Sequence, residues 1–301
     1  MIEFRAPEIQ DRHWVEEILL RDGNERCEYS FVNLLAWGKC CGLMIAPVDG
    51  QMASYLPQGK GPGYPYPLGP GDARPVLEAL RADAAQRGIP FRLLSLSRGD
   101  AEELEGAYPG RFRITEDRAG FDYVYDIDRL ADLAGKKLHA KRNHIHRFVE
   151  AHPDWSVEEL AADNLSDCLA MFEAWGRLAR ENAAGEGLDD EENALRHALA
   201  HREALELKGL LLRSEGQVLA FTLGSRMSGD TFDVHFEKAF GQVQGAYAII
   251  NREFARWVRE RYPQVRWLNR EEDMGLEGLR KAKSSYYPDR MVEKFVAEWM
   301  E

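Results

Sequence analysis

The stretch Phe240-Gly241-Gln242-Val243-Gln244-Gly245-Ala246-Tyr247 joins an apolar strand to an amphipathic helix, and its surroundings set the fold. Upstream, residues 207–213, 217–226 and 231–238 alternate as three strands, with Gly216 and Ser228-Gly229-Asp230 marking the turns. Downstream, apolar residues recur at helical spacing over 245–261, followed by a strand at 265–269, a helix at 275–285 and a strand at 290–297. A meander, then helix, strand, helix, strand, predicts an α/β (α+β) protein with mixed, mostly antiparallel sheets flanked by helices. In the loop itself, glycines let backbone N–H groups approach a ligand, and the following helix start carries partial positive charge. Gln242, Gln244, Gly245, Ala246 and Tyr247 are therefore the candidate donor-binding residues. An ordinary strand-to-helix turn is the other reading of the same spacing.

Working toward the N-terminus, a strand is expected at 154–160 and helices at 163–182 and 189–205. Residues 136–150 read as a strongly basic helix, with Lys136, Lys137, Lys141, Arg142 and Arg147 among three histidines, ended by Pro153. The first half repeats the pattern in blurred form. Met1–Arg5 reads as a strand, and residues 26–38 as a buried helix or loop. A hairpin spans 41–47 and 51–57, and a Gly/Pro loop runs 59–70. Helices at about 72–87 and 99–107 and strands at about 91–96, 111–115 and 121–126 complete it. The expected organisation is an N-terminal domain over 1–135, the basic connecting helix at 136–152 and a C-terminal domain over 153–301.

A chain of 301 residues suits two domains. It is 45% hydrophobic and 30% charged, which places it among globular proteins. No apolar run reaches the roughly 20 residues of a membrane span. The start has no basic and apolar signal pattern. Cys27, Cys40, Cys41 and Cys168 form no CxxC pair, so reduced thiols and a cytoplasmic location are expected. The net charge of −12 repels nucleic acid on average, so an anionic ligand needs a local basic site.

Four further segments carry candidate chemistry. Asn269-Arg270-Glu271-Glu272-Asp273-Met274-Gly275 ends the strand at 265–269, where open α/β sheets bind ligands. Glu271, Glu272 or Asp273 could serve as a general base, with Asn269 and Arg270 holding substrate. Asp273 also suits the N-cap of a helix from Met274. Arg280, Lys281 and Lys283 crowd the end of the next helix, where they either offset its dipole or neutralise a donor. Tyr286 follows, as a leaving-group acid or a core aromatic. On the strand 231–238, alternation puts Phe232, Val234 and Phe236 on one face and Asp233, His235 and Glu237 on the other, so His235 and Glu237 are candidate substrate contacts. The basic helix at 136–147 could take tRNA, or pack through Leu138, Ile145 and Phe148 as a solvated connector. No metal-ligand spacing, Walker A, GxSxG or HExxH motif is present, and no metal is expected.

Three segments together resemble the bacterial family of the phosphatidylglycerol lysyltransferase C-terminal domain, a tandem-GNAT group akin to the Fem aminoacyltransferases. They are Glu28 to Trp37, Gly135 to Phe148 and Asn269 to Tyr286. The resemblance implies two GNAT-like domains, the first degenerate, with the active cleft in the second. In the GNAT pattern a Q/R-x-x-G-x-G/A loop holds the pyrophosphate of coenzyme A. Gln242 and Gly245 match it, while Tyr247 stands where a small residue is usual. Ala282 and Tyr286 match a later Ala-to-Tyr spacing, but Arg290 and Met291 replace Gly-Phe. The resemblance implies an acyl- or aminoacyl-transferase with no covalently bound cofactor. Its donor would be acyl-CoA or aminoacyl-tRNA, and its acceptor a small molecule or lipid bearing an amine or hydroxyl. A non-catalytic GNAT-fold module for an anionic metabolite or a protein partner is the alternative.

Overall fold

A computed structural model describes residues 1–58, 61–181 and 187–300. The first two residues of the loop expected at 59–70 and the end of the helix expected at 163–182 lie outside the described residues. In chain order the elements begin with α1 (Arg12–Asp22), α2 (Phe31–Cys41), β1 (Met44–Val48), β2 (Gln51–Tyr55), β3 (Tyr64–Pro65) and α3 (Arg74–Arg87). Next come β4 (Arg92–Leu96), α4 (Arg98–Ala107), β5 (Phe112–Glu116), β6 (Asp122–Asp126), α5 (Ile127–Asp132) and α6 (His139–Ala151). There follow β7 (Ser156–Glu159), α7 (Leu165–Glu181), α8 (Leu188–Ala200), β8 (Lys208–Ser214), β9 (Gln217–Arg226) and β10 (Thr231–Ala239). The chain closes with α9 (Ala246–Arg261), β11 (Trp267–Asn269), α10 (Glu277–Ser284), β12 (Arg290–Val292) and β13 (Phe295–Trp299). Met1–Arg5 forms no strand, only a bridge between Arg5 and Ile45.

The chain forms two compact units, and they are not sequential. One comprises Met1–Asp122, Glu272–Arg280 and Met291–Glu301; the other comprises Tyr123–Glu271 and Lys281–Arg290. This differs from boundaries at 135 and 152 because strand pairing reassigns both ends. β13, the last strand, pairs antiparallel with β4 and β5 and so completes the first unit's sheet, ordered β3-β4-β13-β5. β6 pairs antiparallel with β11 and so joins the second unit's sheet.

In the first unit, Leu80, Leu93, Leu104 and Ala297 are fully buried in one core. Phe112 and Trp299 meet edge to face in it, with ring centroids 5.1 Å apart. The single strand expected at 290–297 is broken between β12 and β13 because Lys294 turns inward. Its ammonium lies 2.7 Å from Asp122 Oδ1 and 2.5 Å from Glu28 Oε2. Asp122 also accepts the Cys27 backbone N–H at 2.9 Å, within the same unit. Burial works against the Lys294 charge, but Asp122, Cys27 and Glu28 hold its pKa well above the ordinary value.

The second unit is built on a seven-stranded sheet ordered β12-β6-β11-β10-β9-β8-β7. β8, β9 and β10 form the expected antiparallel meander, and β10 pairs in parallel with β11. A bulge interrupts the β9–β10 ladder: Val234 pairs with Gly224 and Phe236 with Leu223, leaving His235 extra. Residues opposite one another share a face. Glu237, opposite Thr222, therefore lies with Phe232 and Val234, while Asp233 lies opposite Ser225 with Phe236. The expected polar row Asp233, His235, Glu237 is thus split across the sheet, because the extra residue shifts the alternation by one. α9 covers the Glu237 side, with Phe232 and Phe254 rings 5.8 Å apart. α7 covers the other, with Phe172 and Phe221 rings 6.3 Å apart. None of the described helices is long and apolar enough to cross a membrane, and no disulfide joins any of the four cysteines.

Replacing Lys294 by Met would leave the buried Asp122 and the half-buried Glu28 without their cation. Removing one partner of such a pair costs about 3–5 kcal/mol. Urea unfolding of Lys294→Met should show that loss, and a midpoint equal to wild type would contradict the role given to this contact.

Candidate active site

The parallel register of β10 with β11 sets Asp233 beside Asn269, so the chain leaving β11 passes the middle of β10. Asn269 is fully buried, and its Oδ1 accepts the Glu271 N–H at 2.7 Å, turning the backbone at a residue with φ 57°. Arg270 and Glu271 then reach different partners. Arg270 goes to Glu237 on the α9 side, and Glu271 goes to His235.

On the α9 side, Arg270 Nη2 donates to Glu237 Oε1 at 2.7 Å, and Asn251 Nδ2 of α9 donates to Glu237 Oε2 at 3.3 Å. The guanidinium lies 5.0 Å from the Tyr286 ring centre and 5.7 Å from that of Tyr125. Lys141 of α6 places its ammonium 3.9 Å from the Tyr286 ring centre. Lys283 donates to the Arg270 carbonyl, and its own carbonyl accepts the Tyr125 hydroxyl at 2.8 Å. Burial, helped by the nearby Arg270 charge, pulls the Lys141 pKa down to about 8. Burial pushes the Tyr286 phenol up, so it stays protonated. Three buried polar atoms here have no hydrogen-bond partner: Arg270 Nη1, Asn251 Oδ1 and Thr222 Oγ1. An amide oxygen, a hydroxyl and a guanidinium NH2 left over around Glu237 form an unsatisfied polar set, and buried polar atoms normally find partners.

His235 lies in a second set of contacts. Its Nε2 is 2.9 Å from Ser225 Oγ, and its Nδ1 is 3.2 Å from Glu271 Oε1 and 3.5 Å from Asp233 Oδ2. Ser225 was not singled out in the sequence, yet a signal existed. Counting outward from Gly229 as the centre of the turn pairs Ser225 with Asp233, as the ladder does. Among the described residues, Asp233, His235 and Glu271 bring metal-type ligand atoms together, as do Cys27, Glu28 and Asp122. In the latter group the Lys294 ammonium supplies the positive charge.

The other sequence candidates fall elsewhere. Asp273 is fully buried and accepts from Arg118 Nη1 at 3.2 Å, Arg280 Nε at 2.8 Å and the Gly275 N–H at 2.9 Å. That carboxylate anchors the loop before α10, which begins at Glu277 and not at the expected 275. Glu272 Oε2 accepts the Cys27 thiol at 3.1 Å in the first unit. Lys281 is exposed, as are Gln242, Gln244 and Tyr247.

Gly245 has φ 90° and caps α9, but its glycine character has a packing cause. A Cβ there would meet the His144 carbonyl oxygen at 2.3 Å and Phe148 Cβ at 2.9 Å, both in α6. The Ala246 N–H is already bonded to the Val243 carbonyl at 3.2 Å. A side chain at 245 would push α6 away, so Gly245→Ala should cost about 1–3 kcal/mol. Its melting temperature should fall by about 2–4 °C per kcal/mol lost. An unchanged melting temperature would return the glycine to a purely ligand-binding role.

The comparisons with known proteins agree with this architecture. The family model described as "Phosphatidylglycerol lysyltransferase, C-terminal" matches residues 22–298. A protein of unknown function from Bacteroides thetaiotaomicron is 38% identical with a TM-score of 0.93, each chain covered over 100% of its length. L-PGS from Bacillus licheniformis is similar in fold at 16% identity and a TM-score of 0.66, covering 99% of this chain and 94% of that one. FemX is similar in fold at 10% identity and a TM-score of 0.61, covering 99% and 98%. A tandem GNAT protein of clavulanic acid biosynthesis shares the fold at 12% identity and a TM-score of 0.53, covering 99% and 98%. No curated protein matches the sequence. With its two mixed α/β units and a family match running almost end to end, the chain belongs to the family of the phosphatidylglycerol lysyltransferase C-terminal domain, on a tandem GNAT-type fold.

Proposed function

We propose that this protein transfers an aminoacyl group from aminoacyl-tRNA to the hydroxyl or amine of a small or lipid-type acceptor, at the Arg270–Tyr286–Lys141 cluster. The observation that carries the choice of donor is the contact of α6 with the Gly245 loop. The approach of His144 and Phe148 accounts for the glycine without a pyrophosphate, which removes the main argument for coenzyme A. The same helix and the turn before it expose Lys136, Lys137, His139, His144, His146 and Arg147, a basic face on an acidic chain. The family's description as a lysyltransferase agrees with an aminoacyl donor.

In this reading the spare Arg270 Nη1 hydrogen polarises the donor's ester carbonyl as charge develops on its oxygen. Glu237, itself held by Asn251, fixes the guanidinium, and Asn251 Oδ1 and Thr222 Oγ1 receive the donor's amine. Lys141, uncharged above pH 8, takes the proton of the attacking acceptor, and the Tyr286 phenol gives one to the departing ribose oxygen. Glu271 contacts His235 and takes no part in this transfer, and Asp273 keeps the loop in place. Positioning of the two substrates supplies most of the rate.

The transfer rate should rise with pH and level off above about pH 8, as Lys141 loses its proton. Lys141→Met should flatten that profile, and Tyr286→Phe should slow transfer by about 10²–10⁴-fold with the melting temperature little changed. A pH profile that Lys141→Met leaves intact would overturn the assignment. Reversing charge at Lys136, Lys137 and Arg147 should weaken tRNA binding and flatten its salt dependence, by about one unit of log–log slope per lost phosphate contact. Binding insensitive to both salt and charge reversal would exclude tRNA as the donor carrier. In that case a coenzyme A thioester or a non-catalytic role becomes the reading to pursue.

A further inference from the structure

The β-bulge at His235 aims a second set of groups that the transfer site does not use. We propose that Ser225 is a nucleophile, which takes a small acyl or aminoacyl group from an oxygen ester or thioester as an acyl-serine. His235 is its base and Glu271 orients the imidazole. The two carboxylates fix the ring's tautomer. Glu271 Oε1 at 3.2 Å and Asp233 Oδ2 at 3.5 Å both face Nδ1, and ionised carboxylates only accept. Nδ1 therefore carries the hydrogen, and Nε2 offers its lone pair to the Ser225 hydroxyl at 2.9 Å. Nucleophile to base to orienting acid is the order that activates a serine, on whatever fold it occurs.

The backbone holds this geometry tightly. Ser225 and Asp233 are directly opposite in the ladder, and the extra residue of the bulge is the histidine itself. Beside Ser225, a Cβ on Gly224 would meet the Asp233 carbonyl oxygen at 2.3 Å, so the strands are pressed together where the serine sits. Ser225 is 4% exposed and His235 is 6% exposed, which keeps bulk water from competing for their hydrogen bond. Apolar side chains would fill this space without the desolvation cost of Ser225, Asp233, His235 and Glu271.

In the step itself, Ser225 Oγ bonds to the carbonyl carbon while its proton passes to His235 Nε2. The bond from that carbon to the leaving oxygen or sulfur breaks, and the proton on Nε2 goes to the leaving group. Water, an alcohol or an amine then attacks the acyl-serine. Its proton returns through His235 to Ser225 Oγ, so atoms and charge balance over the cycle with no other reagent. The site lies with Phe236, on the sheet face away from Glu237, so it stands independently of the donor assignment above.

The test is p-nitrophenyl acetate, a probe with neither tRNA nor coenzyme A, mixed with the full chain. The expected result is a burst of one p-nitrophenolate per protein and an acetyl group mapped by mass spectrometry to Ser225 after acid quench. Ser225→Ala should lose both, and His235→Gln should slow the burst by about 10³-fold or more. Labelling of wild-type protein at lysines alone would overturn the proposal, and that readout needs no variant to fold. A burst of equal size in folded Ser225→Ala would overturn it as well. Failure of tRNA-dependent transfer alongside acetyl-Ser225 would sink the transfer reading and leave this one standing.

Discussion

The parallel pairing of β10 with β11 is the constraint on which both polar sets of the second unit depend. It fixes Asn269 beside Asp233, and the buried Asn269 side chain then bends the backbone so that Arg270 and Glu271 diverge. A register one residue away would exchange their sides. Arg270 would then lose Glu237, and Glu271 would lose His235. The pairing also asks for an antiparallel neighbour on the other edge of β11, which β6 provides although it precedes the basic helix in sequence. The split of the chain into interleaved units follows from the same demand, since β13 is left to complete the sheet with β4 and β5.

Glycine shows how one sequence signal can have two physical sources. A glycine before a helix suits a phosphate cradle, and it equally suits close approach of a second helix. At Gly245 the second source is present: α6 lies against it through His144 and Phe148. The basic helix is thereby more than a connector. Its buried Ile145 and Phe148 pack inward, Lys141 reaches the Tyr286 ring, Arg142 donates to the Gly135 carbonyl, and Arg147 with the three histidines faces solvent. Carriage of charge and construction of the site are carried by opposite sides of the same thirteen-residue helix.

Much of the second unit was legible because its elements are locally consistent. The strand 217–226 is β9 residue for residue, the helix at 245–261 differs from α9 by one residue, and the turns at Gly216 and Gly229 fall where glycine and aspartate put them. The candidate site was legible by segment and not by geometry. Glu271, His235, Glu237, Arg270 and Tyr286 were all within reach of sequence reasoning. Their grouping was not, because alternation continues unbroken in the letters through His235 while the backbone inserts a bulge there. Asp273 stands where a base would be expected, but two arginines, one of them far away in sequence at Arg118, hold it. Non-local pairing also hid the domain organisation, since nothing in residues 290–299 tells that they return to the first sheet.

We propose that the second unit moves an aminoacyl group from tRNA. The most direct test of this is single-turnover discharge of aminoacyl-tRNA by excess protein in the presence of hydroxyl and amine acceptors, run beside acetyl-coenzyme A under the same conditions. The account predicts loss of the ester from tRNA with stoichiometric appearance of aminoacylated acceptor, and no consumption of the thioester. Consumption of acetyl-coenzyme A with aminoacyl-tRNA left intact would contradict it.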